Sequence, residues 1–238
     1  MLNGKKVIIF DMDGTLIDSV GIWNEVDRRF IAALGGDADG VDVKAQRDEQ
    51  LLRFIAADDP YREYCGYMGQ KYGSSLSPDE LVKLRYAISD DLVANVVDYK
   101  PDAEVLLYKL KEMGFTLMIA STTKRANMEV YRTRNQNILR KAPPNQIFDA
   151  IYTREDAKEI KPSPEIYKRI LREWNVCPEE CLIFEDSPVG IEAANRAGID
   201  VIAMYDKYSD DDREVINARS KAHFNNYKEV LRAIGAEK

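Results

Sequence analysis

Histidine is almost absent from this chain of 238 residues, and that scarcity removes whole classes of chemistry. With His223 as the one histidine, neither a two-histidine zinc site nor a His-x-x-x-His helix can be built. The three cysteines, Cys65, Cys177 and Cys181, contain no Cys-x-x-Cys pair. That speaks against a zinc knot or a thioredoxin-like site, and the thiols read as reduced and mostly buried. No apolar run approaches the ~18 residues of a membrane span, so no membrane protein is expected. Before Asp11 there is only the short run Val7-Ile8-Ile9-Phe10, too short for a secretory signal, and the expected location is the cytoplasm. An excess of positive charge is missing too. Lys plus Arg is 34 against 41 for Asp plus Glu, a formal net charge of −7. With no sustained basic stripe, nucleic acid is not an expected partner.

What the chain does have is alternation. Short, continuously apolar runs recur at Val7 to Phe10, Phe115 to Ala120, Ala150 to Thr153, Leu182 to Phe184 and Val201 to Met204. Runs of this kind read as strands buried on both faces. Helical patterns lie between them. One runs from Pro101 to Met113 with Val105, Leu106, Leu110 and Met113 on its apolar face, stopped by Gly114. Another opens at Ser163-Pro164 and carries Ile166, Ile170, Leu171 and Trp174. A third starts at Ser187-Pro188 and stops at Gly198. This alternation predicts an α/β fold built on a doubly wound parallel sheet. The stretch from about Ser19 to Val96 contains no convincing strand. Trp23, Val26, Phe30 and Leu34 fit one helix face, and Ser77-Pro78-Asp79-Glu80 is a capping box opening another helix. The expected organisation is a core of residues 1–17 and 97–238 with an inserted all-α domain at 18–96.

Ligands of open α/β sheets bind beyond the carboxyl ends of the strands. The residues at those ends are Asp11-Met12-Asp13-Gly14-Thr15, then Ser121-Thr122-Thr123, then Glu185-Asp186-Ser187, with Lys161-Pro162 before a helix. Packed carboxylates repel one another, and an all-oxygen set suits Mg²⁺ as the compensating cation. A carboxylate is a nucleophile toward phosphorus, and a second one two residues on can shuttle the leaving-group proton. A lysine and a hydroxyl can hold transferring phosphoryl oxygens.

Taken together these motifs resemble the haloacid dehalogenase superfamily of phosphotransferases, in its phosphatase and β-phosphoglucomutase-like branch. The resemblance rests on Asp11-x-Asp13-x-Thr15, Ser121, Lys161-Pro162-Ser163-Pro164 and Glu185-Asp186 with Gly190, which occur in order over nearly the whole chain. It implies a Rossmann-like core with an α-helical cap at 18–96. It further implies Asp11 as nucleophile and metal ligand, and Asp13 as general acid/base whose backbone carbonyl is a ligand. Asp186 is the third protein ligand, with Glu185 beside it, while Ser121, Thr122 and Lys161 bind phosphate. Arg47, in Arg47-Asp48-Glu49-Gln50-Leu51, is similar to a mutase-branch element whose arginine meets a second phosphate.

The expectation is therefore a Mg²⁺-dependent phosphatase of a small phosphorylated metabolite, acting as a monomer or weak dimer. A sugar-phosphate mutase is the alternative within the superfamily, and a receiver-like phospho-acceptor module the alternative outside it. The acidic pair of Asp13 with Asp11 speaks against the latter, since a signalling module has no leaving group to protonate. The loop at Asp37-Ala38-Asp39-Gly40 reads as surface, because Val41 cannot ligate calcium. Asp210-Asp211-Asp212 is expected in a first helical turn, and Tyr61, Tyr64, Tyr67 and Tyr72 mostly on one helix face. The segment from Arg125 to Asp149 is long for the family, and its Arg132, Arg134, Arg140 and Lys141 read as a solvated face.

Overall fold

The computed structural model describes residues 1–54 and 56–236. The chain divides into two compact units, Met1–Val20 with Val97–Lys238, and Gly21–Val96. The first unit begins with β1 (Val7–Phe10), whose four residues are all buried.

The second unit is wholly helical: α1 (Ile22–Ala33), α2 (Val43–Arg53), α3 (Pro60–Lys71) and α4 (Pro78–Asn95). Each start after α1 is chemically marked. Asp42 caps α2, Asp59 caps α3 ahead of its first-turn proline, and Ser77 with Glu80 forms the reciprocal capping box of α4. Phe30, Ile31, Tyr64, Cys65, Met68 and Leu81 form the core of this unit. Within it lies a charge that the apolar pattern did not predict. Asp27 is fully buried and accepts from Arg85 Nε at 2.9 Å and Nη2 at 2.7 Å, from Arg47 Nη1 at 2.6 Å and from the Tyr64 hydroxyl at 3.1 Å.

Back in the first unit, α5 (Ala103–Glu112) leads to β2 (Thr116–Ala120). The long segment then folds as α6 (Arg125–Thr133), α7 (Gln136–Lys141) and α8 (Pro144–Ile147) before β3 (Ala150–Tyr152). After it come α9 (Glu165–Trp174), β4 (Cys181–Glu185), α10 (Pro188–Ala197) and β5 (Asp200–Met204). The unit ends with α11 (Arg213–Ala218), β6 (Ala222–Phe224) and α12 (Tyr227–Ala233). The strands form one parallel sheet in the order β3-β2-β1-β4-β5-β6, the α/β fold expected from the alternation. β1 sits between β2 and β4, with Val7 level with Thr116 on one side and Cys181 on the other. One core cluster joins Ile9, Met118 and Ile183 of the sheet to Tyr167 and Ile170 of α9 and Ile191 of α10. No helix among the described residues is long and apolar enough to cross a membrane.

Several local expectations shift. Helix α9 starts at Glu165 with Pro164 at its cap, and Ser163 Oγ accepts only a long 3.4 Å bond from the Glu165 amide. Val105, Met113 and Trp174 are exposed, so the apolar faces of α5 and α9 are narrower than the pattern indicated. Cys177 is exposed while Cys65 and Cys181 are buried. The three aspartates 210–212 lie in a 3-10 turn before α11. In the long segment, Lys141 pairs with Asp98 at 2.7 Å and Arg132 donates to Asn145 at 2.6 Å.

Candidate active site

The sheet order brings the ends of β1, β2 and β4 together, and the buried charges collect there. Asp11 continues β1 by one residue, its amide donating to the Phe184 carbonyl at 3.0 Å. Its side chain accepts from Lys161 Nζ at 2.6 Å. Lys161, only 6% exposed, spends its other two ammonium protons on Glu185 Oε1 at 2.7 Å and the Ala120 carbonyl at 2.9 Å. Glu185 closes β4. Its second oxygen accepts from the backbone amides of Asp186 at 2.9 Å and Ser187 at 3.0 Å and from the Ser187 hydroxyl. Gly190, one turn into α10, makes this possible, because a Cβ there would land inside the Glu185 carboxylate. Asp186 is the next residue. Its Oδ1 accepts from the Thr15 hydroxyl at 2.6 Å, and its other oxygen lies where a Gly14 Cβ would stand. Gly14 has φ +82°, so both its space and its backbone demand glycine.

Three buried carboxylates and one ammonium leave an excess of negative charge. Burial pushes Asp11 up to about 7, against the pull of Lys161 and with a further push from Glu185. Burial likewise raises Asp186 well above the carboxylate range, helped by the charges of Glu185 and Asp11. Lys161 moves upward as well. Burial alone would lower it, but Asp11 and Glu185 outweigh that.

Asp13 is bonded outside this cluster, although its charge adds to the upward push on Asp11. Its carboxylate accepts from Ser19 Oγ at 2.5 Å and from the Thr123 hydroxyl. The buried phenol of Tyr131 on α6 is raised first by burial and then by the charge and hydrogen bond of Asp13. Ser121 is buried just past β2, its amide bonded to the Tyr152 carbonyl at 3.0 Å and its hydroxyl accepting from the Thr123 amide at 3.0 Å. Thr122 is exposed, and Ser121, Thr122 and Lys161 line one small cavity.

The structure thus gathers Asp11, Lys161, Glu185 and Asp186 into one bonded cluster, and Ser121 and Thr122 line a cavity with the lysine. Arg47 belongs to the helical unit, where it holds Asp27 and lies 3.3 Å from Asn24 Oδ1. Ser19 and Tyr131 were missed by the sequence reading. Neither carries a local signal, since a lone serine before a helix and a tyrosine within one are unremarkable until the chain is folded.

Among the described residues, no group of three or more His, Cys, Asp and Glu side chains stands ready as a metal cage. The donors of the cluster suited in kind to a hard cation are two buried carboxylates, Asp11 and Asp186. Their fit is chemical: an all-oxygen set in which both carboxylates are pushed upward by burial and by acidic neighbours.

Known proteins resemble this chain over most of its length. The family profile of haloacid dehalogenase-like hydrolases matches residues 8–204. A validoxylamine A 7′-phosphate phosphatase of Streptomyces hygroscopicus subsp. limoneus is 30% identical, covering 84% of this chain and 85% of its own. A phosphorylated carbohydrates phosphatase of Thermotoga maritima is 28% identical, with 83% of each chain covered. Among solved structures, CbbY of Rhodobacter sphaeroides in complex with phosphate superposes with a TM-score of 0.68 at 26% identity, covering 95% of this chain and 96% of that one. The chain belongs to the haloacid dehalogenase-like hydrolases, an enzyme whose relatives include phosphatases of phosphorylated metabolites.

Proposed function

We propose that the protein is a Mg²⁺-dependent phosphatase of a small phosphorylated metabolite, of the sugar-phosphate class, working through an aspartyl-phosphate on Asp11. The observation that carries this is the buried cluster in which Asp11, at the end of the central strand, is held at 2.6 Å by a lysine anchored in turn on Glu185. A carboxylate so fixed is oriented as a nucleophile, and a neighbouring ammonium neutralises incoming phosphoryl oxygens. Asp11, Asp186 and the Asp13 carbonyl would hold Mg²⁺, which supplies charge neutralisation on the phosphoryl group.

Asp11 attacks phosphorus, the bond to the ester oxygen breaks, and Asp13 gives the departing alkoxide its proton. Asp13 then returns as a base, taking a proton from the water that attacks the acyl phosphate and frees inorganic phosphate. Ser19 and Thr123 donate to the Asp13 carboxylate, the acceptor form needed for that second step. Ser121, Thr122 and Lys161 bind the phosphoryl oxygens. The substrate class rests on relatives named for phosphorylated carbohydrates and for validoxylamine A 7′-phosphate. The helical unit is read as the family's cap domain.

The test is a panel of phosphorylated metabolites assayed for phosphate release with and without Mg²⁺, on the wild type and Asp11→Asn. Release that needs Mg²⁺ and is abolished in Asp11→Asn is expected. Near wild-type rates in Asp11→Asn, or full activity after exhaustive chelation, would overturn the reading.

A further inference from the structure

We propose that Tyr227 is a positioning residue for the metal ligand Asp186, acting through Thr15; the inference rests on the reading of Asp186 as a ligand. Tyr227 opens α12 and is buried to 1% exposure, among the largest fully buried side chains of the molecule. Its hydroxyl donates to the Thr15 carbonyl at 3.0 Å, across 212 residues of sequence.

The turn after β1 explains why that one bond matters. Met12 offers its carbonyl to the amides of Leu16 and Ile17, Ile17 accepts from Gly14, and Leu16 accepts from the amide of Lys100. Each of those carbonyls is satisfied by backbone. Thr15 has no exposure, and its carbonyl is met by the tyrosine hydroxyl. A buried carbonyl needs a partner, so this peptide is pinned by a side chain from the far end of the sheet order.

Thr15 passes the constraint on. Its hydroxyl donates to Asp186 Oδ1 at 2.6 Å, while Gly14 packs against the other oxygen. The carboxylate is thereby fixed at one oxygen by a hydrogen bond and at the other by contact. Partners of this kind orient a ligand before the cation arrives, and removing them weakens metal binding typically by about 10–100-fold. Tyr227 acts one bond further out, so the low end of that range is expected.

The alternative role for Tyr227 is to dock α12 and nothing more. Calorimetric titration of Mg²⁺ into chelator-stripped protein separates the two, with melting temperatures measured alongside. Tyr227→Phe keeps the ring and removes only the oxygen; it should raise the Mg²⁺ dissociation constant by about tenfold. Leu231→Ala, one turn further along the same helix, buried but without a bond to Thr15, should lower the melting temperature and leave Mg²⁺ affinity within about twofold of wild type. In a Thr15→Val background, where the link to Asp186 is already cut, adding Tyr227→Phe should change affinity by less than about twofold. The proposal is overturned if Tyr227→Phe binds Mg²⁺ like wild type, if Leu231→Ala weakens binding equally, or if the tenfold effect persists without the Thr15 hydroxyl. A wild type that binds no Mg²⁺ refutes the functional reading along with it, whereas normal wild-type binding with an unaffected Tyr227→Phe refutes this inference alone.

Discussion

Removing the ammonium of Lys161 while keeping its stem, as Lys161→Met, isolates the charge balance of the cluster. The side chain is 3% exposed and makes bonds of 2.6, 2.7 and 2.9 Å to Asp11, Glu185 and the Ala120 carbonyl. After the substitution two carboxylates face each other with no cation between them and with Asp186 nearby. Breaking a buried ion pair by deleting one partner costs about 3–5 kcal/mol. For a chain of this size that corresponds to roughly 6–20 °C in melting temperature. The deficit should depend on pH with a definite sign. Asp11 is already raised to about 7 from an unfolded value of 3.8. A carboxyl group raised on folding contributes stability below its unfolded value, and that contribution is lost as pH climbs through the folded one. The variant should therefore be closest to wild type near pH 5 and furthest from it near pH 8. A second substitution, Glu185→Gln, removes one of the stranded charges and keeps an acceptor for the amides of Asp186 and Ser187; it should recover part of the loss. Calorimetry in chelator at pH 5 and pH 8 reads all of this. A loss below about 1 kcal/mol at pH 8, or one that grows as pH falls, would refute the account of the cluster.

Three further outcomes are expected. Asp13→Asn should slow alkyl phosphate hydrolysis by about 10²–10⁴-fold and hurt an activated aryl phosphate less in single-turnover measurements; equal losses on both would remove Asp13 as the acid. Gly190→Ala drives a methyl into the Glu185 carboxylate, and should lower both the melting temperature and the activity, whereas a neutral result in calorimetry would contradict the close packing there. Asp27→Leu strands Arg85 and Arg47 in the helical unit and should destabilise that unit by about 3–5 kcal/mol, checked by hydrogen exchange of α1 and α4.

The strands were legible because both their faces are buried, so Val7 to Phe10 and Leu182 to Phe184 are unbroken apolar runs with polar residues at their ends. Those ends carry the candidate site. Asp11, Glu185 and Asp186 stand just past such runs, Lys161 stands ahead of a helix, and all four meet in one cluster. Helix faces were read less well. Met113 and Trp174 continue an apolar period beyond the surface the sheet can cover. The cap of α9 slipped by a residue because Ser163-Pro164 has the composition of a helix start without its geometry. Partners remote in sequence gave no signal. Asp27 breaks an apolar face, and only folding reveals the arginines 20 and 58 residues away that accommodate it. Tyr227 reads as one aromatic in a short helix until Thr15 is placed beside it.

The central place of β1 has a consequence for how the chain is made. Its first partner, β2, pairs Val7 with Thr116, and its second pairs the same residue with Cys181. At synthesis rates of about 5–20 residues per second, the strand emerges on the order of ten seconds before either partner exists. In that interval α1 to α4, whose pairings are local, can already form, while Val7-Ile8-Ile9-Phe10 waits as an unpaired apolar segment. What flanks it is charge: Lys5 and Lys6 on one side, Asp11 and Asp13 on the other. Such residues act as gatekeepers against intermolecular β-pairing. The two aspartates read here as nucleophile and acid thus also guard the nascent strand, so neutralising both exposes the newborn chain to aggregation before any catalytic question arises.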